Sequence, residues 1–212
     1  MHPFFETNHP FGNVVLNFRG RAVNDLSAFA AGYHAAGMIL VNKMESSHGY
    51  RDYDGYPILY LYRHALELYL KAIVYRGAQL LELISDERIK TDKLWTKHQL
   101  APLLPSIKAI FQALHWEWNF EVSGLKSFDD FCALIKEIEK IDPQSYSFRY
   151  PINTRGDALH ETHFVMNVIH FGKKMDPLLH LLSGAVTGVE EQWDATADVV
   201  YSLRELFKEH LY

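Results

Sequence analysis

The run covering residues 58–75 constrains this chain more than any other segment. It is apolar nearly all round, a pattern that suits a helix enclosed by neighbours and not one lying on a surface. Asp54-Gly55-Tyr56 precedes Pro57, and proline fits a first helical position because its missing N–H would be unpaired there anyway. Gly77 offers a stop, with Leu80-Leu81-Glu82-Leu83-Ile84 as a further turn or two. A central helix of this kind needs other helices to cover it.

The rest of the chain supplies them. Asn24 or Asp25 can cap a helix whose stripe is Leu26, Phe29, Tyr33, Ala36, Leu40 and Met44, ending near Ser46 and Ser47. Thr96-Lys97-His98-Gln99 fits a capping box. Pro105 restarts a helix with Ile107, Ile110, Phe111 and Leu114 inward. Ser127 with Asp130 opens another, burying Phe128, Phe131, Leu134, Ile135 and Ile138 and stopping at Asp142-Pro143. Asp157 is the expected cap of a helix carrying Val165, Val168, Ile169 and Phe171. Pro177 kinks it or begins a new one, and residues 199–211 form a final amphipathic helix. Residues 1–21, with Pro3, Pro10, Gly12 and Gly20 around a β-prone run at 14–18, read as an arm with one strand. The expectation is an all-α fold: an up-and-down four-helix-type bundle with an extra C-terminal helix, one domain over 22–212 behind the N-terminal arm.

Composition narrows the function classes. With 48% apolar and 22% charged residues, the chain can build a core. A net charge of −5 argues against a broad polyanion-binding surface but leaves room for a small basic pocket. No apolar run approaches the ~18 residues of a membrane span. Residues 1–12 have neither a basic n-region nor an apolar h-region, and the single Cys132 can form no internal disulfide. No membrane association and a reducing cytoplasm are therefore expected. Gly-rich phosphate loops, G-x-S-x-G elbows and H-E-x-x-H motifs are absent. His160, His163 and His170 share a helix sector, but the last would lie about 10 Å further along the axis, so no metal and no cofactor are expected.

Three segments carry the remaining chemistry: Tyr62-Arg63-His64-Ala65-Leu66-Glu67-Leu68-Tyr69-Leu70-Lys71-Ala72, then Lys97-His98-Gln99-Leu100, then Phe148-Arg149-Tyr150-Pro151. Their order and spacing resemble the HEPN superfamily over roughly residues 25–185. These are small helical bundles found in bacterial toxins, antiphage proteins and partners of minimal nucleotidyltransferases. Gln99 stands where the family's turn usually has an acidic residue. The resemblance implies a homodimer with RNA, a nucleotide or a nucleotidyltransferase-type protein as partner, and a place in stress or phage defence.

Arg63, Glu67 and Lys71 fall at i, i+4 and i+8 with His64 beside them, giving one polar ridge on a greasy cylinder. Two readings stand: an ion-paired solvent edge, or a phosphate-binding groove formed by Arg63, His64 and Lys71. Active HEPN ribonucleases are similar to one another in an arginine followed four to six residues later by histidine, near the start of the last long helix. Here Arg155-Gly156-Asp157-Ala158-Leu159-His160 has that spacing. The resemblance implies metal-independent cleavage, with His160 as base toward an RNA 2′-hydroxyl and Arg155 on the phosphate. The resemblance also implies Arg149 as a second phosphate contact or a structural anchor. Arg204 and His210 share the spacing but face different sides of a helix. The other reading of the fold is a binding module without catalysis.

Overall fold

The computed structural model describes residues 11–12, 14, 25–47, 50–85, 88–152, 155–158 and 165–209, with side chains to residue 206. The expected strand at 14–18 lies outside the described residues, apart from Val14. Among those described, the chain is all-α, with five helices: α1 (Leu26–Ser46), α2 (Gly55–Ile84), α3 (Leu104–Ala113), α4 (Phe128–Ile141) and α5 (Val168–Glu209). Two isolated bridges, Val122 with Leu125 and Ile152 with Ala158, are the extended pairings found there.

The apolar sequence of α2 places it at the centre. Tyr62, Ala65, Leu66, Leu70 and Ile73 are fully enclosed. α5 runs parallel to it: Gly55 meets Val168, Tyr62 meets Gly172 and Asp176, and Arg76 lies over Trp193. α1 runs antiparallel to both, with His34 at Asp176, Val41 at Gly172 and Glu45 paired to Lys173. α3 packs on the far part of α2. α4 lies outside it, joined by the Phe111–Phe128 ring contact and by Phe131, Ile135 and Ile138 in the shared core.

Several expected details shift, each for a packing reason. The buried stripe of α1 is Ala30, His34, Gly37, Val41 and Met44, whereas Phe29 is exposed. The helices approach where small residues allow it: a Cβ on Gly37 would sit 3.0 Å from the Tyr62 ring, and one on Gly172 would sit 2.7 Å from Val41. Gly77 does not end α2. A Cβ there would stand 2.4 Å from Ile110, so the glycine is a contact surface for α3. Pro57 falls in the third position of α2 rather than the first. Residues 168–209 form one helix that contains Pro177, so the described part of the separate last helix expected at 199–211 is its continuation.

Ser127 does cap α4, its Oγ accepting from the Asp130 N–H at 3.1 Å. The capping box at Thr96 does not form. Thr96 Oγ1 turns back to the Lys93 carbonyl, and the helical turn at Ala101–Leu103 begins instead under Glu139 of α4. The Glu139 carboxylate accepts from the Leu100 and Ala101 N–H groups at 2.9 and 3.3 Å, a negative charge on the donors left unpaired at a helix start.

Candidate functional site

The three segments quoted for the resemblance converge on one face of α2. At its centre is Glu67, 1% exposed. One carboxylate oxygen accepts from Lys71 Nζ at 2.8 Å and from His98 Nδ1 at 2.9 Å; the other accepts from Arg63 Nη1 at 3.0 Å. Arg63 Nη2 also donates to the His98 carbonyl at 2.5 Å. The His98 turn is thus held by its ring and its backbone at once. Burial raises the Glu67 pKa, but the hydrogen bond and charge of Lys71, then Arg63 and His98, outweigh it and hold the carboxyl below its ordinary range.

This corrects the reading of a solvent edge. Arg63 is 1% exposed and Lys71 5%, and both turn inward onto Glu67. A ridge inferred from spacing alone resembles a surface because charged residues are rarely buried unless paired. Here they are paired, and Arg63 and Lys71 offer no open cationic groove.

His64 is half-buried beside this cluster. Its ring stacks on Tyr60 at 5.4 Å and meets Tyr33 edge-on at 4.5 Å. Burial pushes its pKa down, Glu67 opposes this, and Arg149, Arg63 and His98 reinforce it. His64 therefore offers a neutral ring.

Arg149 is the exposed cation of the site. Its guanidinium lies 5.5 Å from the Tyr60 ring centre, 5.2 Å from Tyr146 and 5.8 Å from Tyr150. Its Nε donates to the Ser145 carbonyl at 2.6 Å. No carboxylate pairs with it among the described residues. The loop is built to hold it there: buried Asp142 accepts from the Ser147 N–H at 2.9 Å, and Ser145 takes a left-handed φ of 60°. The N–H groups of Arg149 and Tyr150 both return to the Tyr146 carbonyl. A guanidinium fixed through Nε over three rings leaves its two terminal nitrogens for an external acceptor.

Arg155 lies elsewhere. It is exposed on a turn closed by the Ile152–Ala158 bridge, and Gly156 at φ +89° supplies the left-handed step that a larger residue resists. Asp157 belongs to this turn, and Ala158 after it is a bridge residue and not the first turn of a helix. α5 starts at Val168, with Asn167 Oδ1 accepting from the His170 N–H at 2.8 Å. Arg155 therefore does not open the last long helix. His160 and His163 lie outside the described residues, so the pairing of Arg155 with His160 does too. His170 is exposed on α5. Among the described residues no three His, Cys, Asp or Glu side chains are grouped to hold a metal, and no helix is long and apolar enough to cross a membrane.

Sequence reasoning placed His98 only in the turn segment and its capping box, and gave no role to Tyr60, Tyr146 or Ser145. The recurrence of tyrosine around Arg149 and four residues before His64 was the available signal. Trp95 is half-exposed against Tyr75. Trp116 and Trp118 border a separate cavity of about 740 Å³ with Phe111, Phe120 and Phe128. Cys132 is partly buried and its thiol is pushed up by burial, as for an inert thiol. No protein-family model, curated protein or solved structure matches the chain.

Proposed function

We propose that this chain is a HEPN-like protein that binds the phosphate of RNA or of a nucleotide through Arg149. The observation that carries this reading is the exposed guanidinium held over Tyr60, Tyr146 and Tyr150 without a carboxylate partner among the described residues. The fork of an arginine suits phosphate oxygens, and tyrosine faces suit bases. One such cation is compatible with a net charge of −5, because the contact is local and not a basic surface. The test is fluorescence anisotropy with a short single-stranded RNA. Arg149→Gln should weaken binding at least tenfold and lower the salt dependence by about one phosphate contact. Binding unchanged within twofold would overturn the proposal.

A second reading adds metal-independent RNA cleavage by Arg155 and His160 in a homodimer, in stress or phage defence. Its support is the resemblance and the exposed position of Arg155 on the turn at Gly156. It predicts that RNA is cut in EDTA, that His160→Ala abolishes cutting, and that light scattering gives a two-chain mass. A one-chain mass removes it. Co-purification of a nucleotidyltransferase-type partner would favour the non-catalytic form.

A further inference from the structure

We infer that the cavity between α3, α5 and the connection 114–127 binds a small molecule built on a flat, apolar, fused-ring aromatic system that carries a carboxylate. The cavity shares no residue with the Arg149 site, so the inference stands apart from the reading given there.

At about 740 Å³ the cavity falls within the range of small-molecule sites. Its wall is aromatic: Phe111 from α3, Trp116, Trp118 and Phe120 from the connection, and Phe128 from α4. Three rings stack in series there. Trp118 lies 5.6 Å from Phe131 and 5.2 Å from Phe120, with planes 25° and 24° apart. Phe131 is fully buried, whereas Phe120 is 41% exposed and has Trp118 as its one ring partner among the described residues. The stack thus ends on a ring at the cavity wall, where a further flat ring continues it.

α5 supplies another wall. A Cβ on Gly188 would stand 2.9 Å from the Trp116 ring, so glycine there lets an indole lie against the helix. Gly184 is one turn earlier on the same side, also lines the cavity, and a Cβ there meets nothing within 4 Å. The chain fills one glycine slot with its own aromatic ring and leaves the next one open. A second flat ring system suits that slot for the reason the indole suits the first.

The connection is pinned from outside the cavity. Ser123 Oγ donates to the Lys174 carbonyl of α5 at 2.5 Å, and the Trp116 N–H donates to the Phe111 carbonyl at 2.8 Å. His115 and Ser123 take left-handed φ values of 54° and 57°, a conformation that residues with a Cβ resist. The space beside Gly184 is therefore not slack in a loose loop.

The carboxylate follows from the polar rim, formed by Lys108, Gln112, His115, His180 and Glu117. Lys108 can only donate, and it has no ion pair or hydrogen bond among the described residues. Gln112 and the two imidazoles can donate as well, and Glu117 is the one acidic side chain of the lining. A rim with this excess of donors suits an acceptor-only group on the ligand.

The test titrates the full chain with anthracene-9-carboxylate and follows energy transfer from tryptophan. The cationic counterpart, 9-(aminomethyl)anthracene, presents the same rings with the opposite charge. The carboxylate should bind with a dissociation constant on the order of 10–100 μM, at least fivefold more tightly than the amine. Gly184→Phe puts a ring of the chain into the open slot and should weaken carboxylate binding at least tenfold. Its melting temperature should hold or rise, since the new Cβ meets no neighbour and a helix prefers phenylalanine to glycine. Phe120→Ala removes the last ring of the stack and should weaken binding at least fivefold, whatever the folding of the glycine variant. Lys108→Glu, a change at an exposed position, should erase or reverse the preference for the carboxylate.

Four results overturn the inference: no transfer to either probe, an amine bound as tightly as the carboxylate by the parent, binding by Phe120→Ala within twofold of the parent, or a parent-like preference in Lys108→Glu. Displacement of the probe by an equal concentration of adenosine monophosphate would overturn it too, by assigning the cavity to a nucleotide. An affinity that falls as chain concentration rises would do the same, by making a second copy the occupant.

Discussion

Tyr62 donates a 2.6 Å hydrogen bond to Asp176, and the same carboxylate oxygen meets His34 Nε2 at 3.0 Å. This single oxygen ties the three long helices together, one residue before Pro177. Burial, then Asp176, pushes the Tyr62 hydroxyl pKa upward, so it stays a donor. Tyr62→Phe keeps the ring volume and removes only that donor. Urea unfolding should show a loss of about 1–3 kcal/mol, the cost of a weakened buried polar contact.

Mild acid should destabilise the fold. Burial holds the pKa of His34 below the ordinary imidazole value against the pull of Asp176, and burial does the same to His64. Both rings are therefore neutral in the folded chain while the unfolded chain binds protons first. Their contribution is complete above about pH 6.5 and is lost as pH falls toward the lowered folded values. Melting temperatures measured from pH 8 to pH 5 should fall across that window, and His64→Gln should flatten part of the fall. A profile that rises toward pH 5 would contradict this.

Glu67→Gln should be among the most damaging single changes. It preserves shape but leaves Arg63 and Lys71 buried without their counter-charge, a loss of about 3–5 kcal/mol for a broken buried pair. The triple change Arg63→Met, Glu67→Leu, Lys71→Met removes all three charges and should restore stability to near the parent's or above it. Because the Glu67 pKa is lowered in the fold, its stabilising effect is present above the ordinary carboxylate value and fades as pH falls toward the folded one. If the triple variant is no more stable than Glu67→Gln, the cluster is held for stability.

Two glycines in helices should respond oppositely to alanine. Gly77→Ala gains helix propensity, but its Cβ would stand 2.4, 2.7 and 2.8 Å from atoms of the fully buried Ile110. Overpacking of about 1–3 kcal/mol exceeds the propensity gain of about 1 kcal/mol, so the net change is destabilising. Gly32→Ala meets nothing within 4 Å and should stabilise the chain by about 0.5–1 kcal/mol. Thermal melts of the two variants decide the point.

How much of this was legible beforehand varies by residue. Ser127 and Asp130 announced the start of α4 because an N-cap is a local bond between near neighbours. The same logic failed at Thr96, where Glu139, thirty-nine residues from Leu100, took over the capping. It failed at Gly77 as well, since a helix stop and a close helix contact ask for the same small residue. Arg149 was singled out from its motif, but Tyr60, which faces its guanidinium, lies 89 positions earlier and no spacing rule links them.

The sequence by itself determined the all-α class that the described residues show, with its most apolar segment at the centre, because periodicity and caps are properties of neighbours along the chain. Only the tertiary structure decided that Arg63, Glu67 and Lys71 are inside, that His98 closes on Glu67, and that Arg149 sits over three rings. Burial and charge pairing depend on what packs across from a residue, and its own neighbours in sequence do not set that.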